Sequence, residues 1–262
     1  MEVDYYKKLF QTIGNILDLI EKDDMPKYLL FLENAFPYMD NYNYHKGMKE
    51  IIQELKVLLK TKSIGTDSDR ALLLDFQAAL ETQPEKAIKL EKNALAQIEN
   101  ITADNARLVS NLHANLGGLY RMNGYPDLAR EHMEKSISLL DQFNLLHIND
   151  SIPQIANYAM FLTKQQEPER GISELQKLSG IIKEYHSDEC LDYAKVQENL
   201  ATIYLMTANL SQAKTHFKKA FKIYEKILAD EPEMIEAKYR EIQELYPQIG
   251  FSIGKTLSGL LT

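Results

Sequence analysis

From residue 67 onward the apolar positions recur at helical spacing, and no stretch alternates apolar and polar residues as a half-buried strand does. The segments Asn115–Tyr120, Asn157–Leu162 and Asn199–Tyr204 begin 42 residues apart. The same register carries small residues at Ala129, Gly171 and Ala213, large apolar ones at Met133, Leu175 and Phe217, and then Ser136, Leu178 and Ala220. One step back it meets Leu74, Ala78, Ala87 and Ala94, so four units share one frame.

Two antiparallel helices per unit, A then B, explain this frame. On helix A, positions i, i+1 and i+4 form one stripe, and on helix B a small residue lets the two backbones approach closely. The A–B turns agree. Thr82-Gln83-Pro84, Gly124-Tyr125-Pro126 and Gln166-Glu167-Pro168 each put proline at the start of helix B, where its missing N–H costs nothing. In the fourth unit Asn209-Leu210-Ser211 takes that place, with Ser211 expected as the N-cap.

The stretch Asn-Leu-Gly-x-x-Tyr-x-x-x-Gly-x-x-x-x-Ala, complete from Asn115 to Ala129, resembles the tetratricopeptide repeat. The long spacing, against about 34 residues in the ordinary repeat, and the ending Ala220-Phe221-Lys222-Ile223-Tyr224-Glu225-Lys226 resemble its kinesin-light-chain type. The resemblance implies an all-α solenoid, a right-handed superhelix of antiparallel helix pairs, with protein or peptide binding in its concave groove. It covers residues from about 67 to 230, read as four repeats.

Residues 1–62 are helical by periodicity, with Phe10, Ile13, Leu17 and Ile20, then Leu29, Leu32 and Phe36, then a third helix near 45–60, but they do not keep the frame. They are read as an N-terminal cap or small bundle, bounded by Lys62-Ser63-Ile64-Gly65-Thr66-Asp67-Ser68. Residues 231–262 are read as C-terminal capping helices. Glu233 to Tyr246 is expected as a fifth helix A, closed by Pro247. The apolar tail from Ile249 to Leu261 either completes the cap or docks onto a second copy, a homodimer through the terminal helices.

Composition narrows the chemistry. With 45% hydrophobic residues in 262, the chain can bury a core without disulfide or metal. Its lone Cys190 cannot form an internal disulfide, which points to a reducing, cytoplasmic setting. No apolar run reaches about 18 residues, so no membrane span is expected. A net charge of -8 works against nucleic-acid binding, which needs Lys and Arg to neutralise phosphates. The six histidines show no metal-ligand spacing, and no catalytic or phosphate-binding motif is present, so no metal, cofactor or enzyme activity is predicted.

The recurring amides Asn115, Asn157 and Asn199 are the leading candidates for holding an extended peptide, because a side-chain amide both donates to a C=O and accepts from an N–H. The resemblance places them on the groove. In the same phase lie Asn111, Arg121 and Met122 in the second unit, Met160 and Lys164 in the third, and Lys195, Thr202 and Met206 in the fourth. Flexible Met side chains suit adaptable recognition, and the cations suit a carboxylate on the partner. The function predicted is a protein- or peptide-binding adaptor or scaffold. The alternative is a regulatory receptor of the bacterial peptide-pheromone type, with residues 1–62 as its effector module.

Overall fold

The computed structural model describes residues 29, 31–32, 35, 45–61, 65–245 and 247. Ten helices run through the described chain, with no strand among these residues: α1 His45–Thr61, α2 Asp67–Ala79, α3 Pro84–Leu95, α4 Ala106–Met122, α5 Pro126–Gln142, α6 Ser151–Lys164, α7 Pro168–Tyr185, α8 Leu191–Met206, α9 Leu210–Ile227 and α10 Pro232–Leu245. Most of the N-terminal segment read as a cap or effector module, and the tail beyond Pro247, lie outside the described residues. The chain divides into two compact units, Met1–Phe143 and Asn144–Thr262.

In the first unit, α2 packs against α3, and α4 against α5. In the second, α6 packs against α7, α8 against α9, and α10 lies on α9. These are the helix pairs expected from the frame. Pro84, Pro126 and Pro168 each open their B helix. The residue two positions before helix B is left-handed at the same register in three pairs: Gly124 at φ 77°, Gln166 at 66° and Ala208 at 58°. Only glycine takes that conformation without steric cost. In the fourth pair the cap is Asn209, not Ser211: α9 begins two residues earlier than expected, and Asn209 Oδ1 accepts from the Gln212 N–H at 3.2 Å.

Small residues stand where the A and B helices approach most closely, and they alternate. A Cβ on Gly117 would come within 2.6 Å of Met133 Cγ, and one on Gly171 within 2.6 Å of both the Ala159 carbonyl oxygen and Thr163 Oγ1. In frame, α4–α5 has Gly117 against Ala129, while α6–α7 has Ala159 against Gly171. In these two pairs one glycine supplies the room, on either helix, while α8–α9 has Ala201 against Ala213.

Each unit has its own apolar interior. Leu29, Leu32, Met48, Ile52 and Leu55 gather on Leu72, Leu73 and Phe76, which ties α1 to α2. In the second unit, Phe217, Phe221 and Tyr224 of α9 meet Ile235, Tyr239 and Ile242 of α10. The boundary loop before α2 ends in a capping box, with Thr66 Oγ1 accepting from the Asp69 N–H at 3.2 Å and Asp69 Oδ2 from the Thr66 N–H at 2.6 Å.

Candidate functional site

Each A helix leaves one stripe to solvent, and the residues singled out from the sequence fall on or beside it. On α6 the stripe is Pro153, Asn157, Met160 and Lys164; on α8 it is Lys195, Asn199, Thr202 and Met206. Steps of three or four residues keep these side chains on one face. Because α6 and α8 are in contact within the second unit, their stripes are neighbours. Met206 is 50% exposed, more than a buried-core role allows. On α4 of the first unit the stripe is Asn111, Asn115, Gly118 and Met122, with exposed Arg121 one position off it.

Hydrogen bonding separates the three asparagines. The side chains of Asn157 and Asn199 make no hydrogen bond to another described residue, so both amides keep their donors and acceptor for something else. Asn115 Nδ2 donates to Asp75 Oδ1 of α2 at 2.8 Å. Thr202 turns its hydroxyl back onto its own helix, donating to the Glu198 carbonyl at 3.0 Å. Lys195 lies 3.9 Å from Asp192, both well exposed, a contact worth little in water. No ion pair with a described residue holds Lys164.

Behind the α8 stripe is a network that sequence reading missed. Glu198 accepts from Tyr224 Oη at 2.7 Å and from Lys238 Nζ at 2.9 Å, and that ammonium sits 5.2 Å from the Tyr224 ring centroid. Burial, then the Glu198 carboxylate, pushes the Tyr224 phenol above its ordinary range. Its legible signal was the position of Glu198 beside Asn199, one step off the solvent face. Cys190 is the N-cap of α8, with Sγ accepting from the Tyr193 N–H at 3.4 Å. Among the described residues, no cluster of three or more His, Cys, Asp or Glu side chains is arranged to hold a metal ion, and no helix is long and apolar enough to cross a membrane.

Two pairs share a half-buried histidine arrangement. His132 of α5 stacks on Tyr120 with its Nδ1 2.8 Å from His113 Nδ1, and 84 residues on, His216 of α9 stacks on Tyr204 with its Nδ1 2.8 Å from Gln197 Oε1. Gln197 Nε2 donates to Ser179 Oγ at 3.1 Å, which turns Oε1 toward His216 as the acceptor. These groups hold A to B and do not reach the solvent stripe.

A family profile described as the tetratricopeptide repeat matches residues 151–226. No protein of curated function matches the chain. Among solved structures, BtubC (BKLC) from P. vanneervenii is 19% identical, with 70% of this chain and 72% of that one covered at a TM-score of 0.58. The nearly identical TPR-like repeats assigned to a kinesin light chain of Podosopora anserina are 15% identical, with 76% and 96% covered at 0.59. Such identities speak for fold alone. Residues 151–226 match the tetratricopeptide repeat, and the helix pairs share the fold of these TPR-like repeat structures.

Proposed function

We propose that the chain is a non-enzymatic adaptor that binds a protein segment along the neighbouring A-helix stripes of α6 and α8. One observation carries the reading: Asn157 and Asn199 hold the same register on two touching helices, and neither amide is used within the described chain. An amide left in this state can hold an extended backbone by donating to its C=O and accepting from its N–H. Met160 and Met206 supply adaptable apolar contact, and Lys164 and Lys195 favour a carboxylate on the bound segment. Tetratricopeptide repeats serve as protein-interaction modules, which agrees with this use, and the lone Cys190 favours the cytoplasm as its setting.

The test is affinity capture from the source cells with the wild type, followed by affinity measurements on the retained protein. Asn157→Ala and Asn199→Ala should each weaken binding by about 1–2 kcal/mol, because each removes one partner of a hydrogen bond on a partly dry surface. Melting temperature should stay within a degree or two, since neither side chain joins helix packing. Unchanged affinity in both variants, or a loss matched by lower melting temperature, would overturn the reading.

A further inference from the structure

The first helix pair departs from the other three in the layer where A and B come closest. That layer holds Gly117 and Met133 on α4 and α5, Ala159 and Leu175 on α6 and α7, and Ala201 and Phe217 on α8 and α9. In α2 and α3 the same two positions are Asp75 and Glu91. A pair of carboxyls stands where the frame elsewhere has a small residue facing a large apolar one.

Glu91 is only 2% exposed, with Ala87 and Ala94 buried on either side of it along α3. Helix α3 packs against α2 and α4, and the groups that face Glu91 from them are Asp75 and the uncharged amide of Asn115. Asn115 Nδ2 donates to Asp75 Oδ1 at 2.8 Å, while Glu91 Oε2 meets no hydrogen-bond partner among the described residues. An ionised Glu91 carboxylate would sit out of reach of water, with one oxygen unpartnered, beside a second carboxyl, so the buried side chain is held with its proton on.

We propose that Asp75, Glu91 and Asn115 form a proton-holding clasp that ties the α2–α3 hairpin to α4, and that withdrawing the proton loosens the hairpin. Burial first, then the Asp75 charge, keeps the Glu91 carboxyl protonated up to about 10. The folded state therefore binds a proton that the unfolded chain gives up near pH 4.5, the ordinary glutamate value. Stability from the clasp is complete below that value and declines as pH rises toward 10. If the α4 stripe also faces a ligand, which rests on the adaptor reading, the clasp decides what Asn115 offers. With one hydrogen of its NH₂ committed to Asp75, the amide meets a ligand chiefly through Oδ1, which accepts an N–H.

The experiment needs no ligand, so it stands or falls apart from the adaptor reading. A carbon-13 carboxyl NMR titration of the full chain should show one glutamate titrating at least about two pH units above the rest, and Glu91→Gln should remove that resonance. Urea unfolding at pH 6 and pH 8 should show the wild-type unfolding constant rising relative to E91Q, by at most about tenfold per pH unit. Should E91Q fail to fold, the pair Asp75→Ala with Glu91→Leu, which copies Ala159 and Leu175, serves as the pH-insensitive reference. Every glutamate titrating in the ordinary range, or equal pH slopes in wild type and reference, would overturn the clasp.

Discussion

At the scale of single residues, packing distance decides what a substitution does. Exchanging a mid-helix glycine for alanine ordinarily stabilises by about 0.5–1 kcal/mol, through the lost freedom of the unfolded chain. Gly118 lies open, with nothing within 4 Å of the place a methyl group would take, so Gly118→Ala should give that gain. At Gly171 the methyl would fall 2.6 Å from a backbone carbonyl oxygen that cannot move aside. Overpacking costs about 1–3 kcal/mol and outweighs the gain, so Gly171→Ala should destabilise. At Gly117 the nearest obstacle is a side-chain atom, Met133 Cγ at 2.6 Å, with the Ala129 carbonyl oxygen farther off at 3.2 Å, and the outcome should fall between the two. Urea unfolding of the three variants checks the order, and a stabilised G171A would contradict the packing account.

At the scale of helix pairs, the same close packing made the fold readable and hid part of the chemistry. The 42-residue recurrence of Ala129, Gly171 and Ala213, and of Met133, Leu175 and Phe217, was visible because A-on-B contact fixes residue size at each layer. Glu91 sits in that frame too, but a carboxyl in an apolar layer makes sense only beside Asp75 and Asn115, and that requires three helices in register. The histidines were legible as residues and silent as a pair, since His113 and His132 belong to opposite helices of one hairpin. Their burial has a consequence in acid. Burial first, and Lys135 among the neighbours, holds His113 down at about 4 and depresses His132 as well. The unfolded chain then takes up protons near pH 6.5 while the folded pair still refuses them, so stability is full above 6.5 and lost as pH falls toward 4. The loss expected from His113 is of the order of 3 kcal/mol across that window. His113→Gln, which copies Gln197, keeps an acceptor for His132 without a proton to gain. Unfolding measured at pH 7 and pH 5 should show a smaller acid penalty in this variant, and an equal penalty would place the sensitivity elsewhere.

At the scale of the whole molecule, a stack of helix pairs has to close each exposed end, because a unit's interior face has no further repeat to cover it. In the second unit α10 does this for α9. Its Tyr239 ring stacks on Phe221 with centroids 3.9 Å apart, its Tyr239 hydroxyl donates to Glu225 at 2.9 Å, and its Lys238 donates to Glu198 at 2.9 Å. Removing α10 would uncover Phe221 and Tyr224, strip Ile235, Tyr239 and Ile242 from the core, and leave Glu198 short of a cation. Each large apolar side chain withdrawn from burial costs about 1.5–3 kcal/mol, so the loss approaches the whole stability of a small domain. Two truncations separate the helix from the tail that follows it: one ending at Pro247 keeps α10, and one ending at Glu231 removes it. The shorter chain should melt well below the longer one or self-associate through the uncovered face, as followed by circular dichroism and size-exclusion chromatography. If both truncations melt together and stay monomeric, α10 contributes nothing to the closure of the second unit, and the contacts of Tyr239 and Lys238 are incidental to its stability.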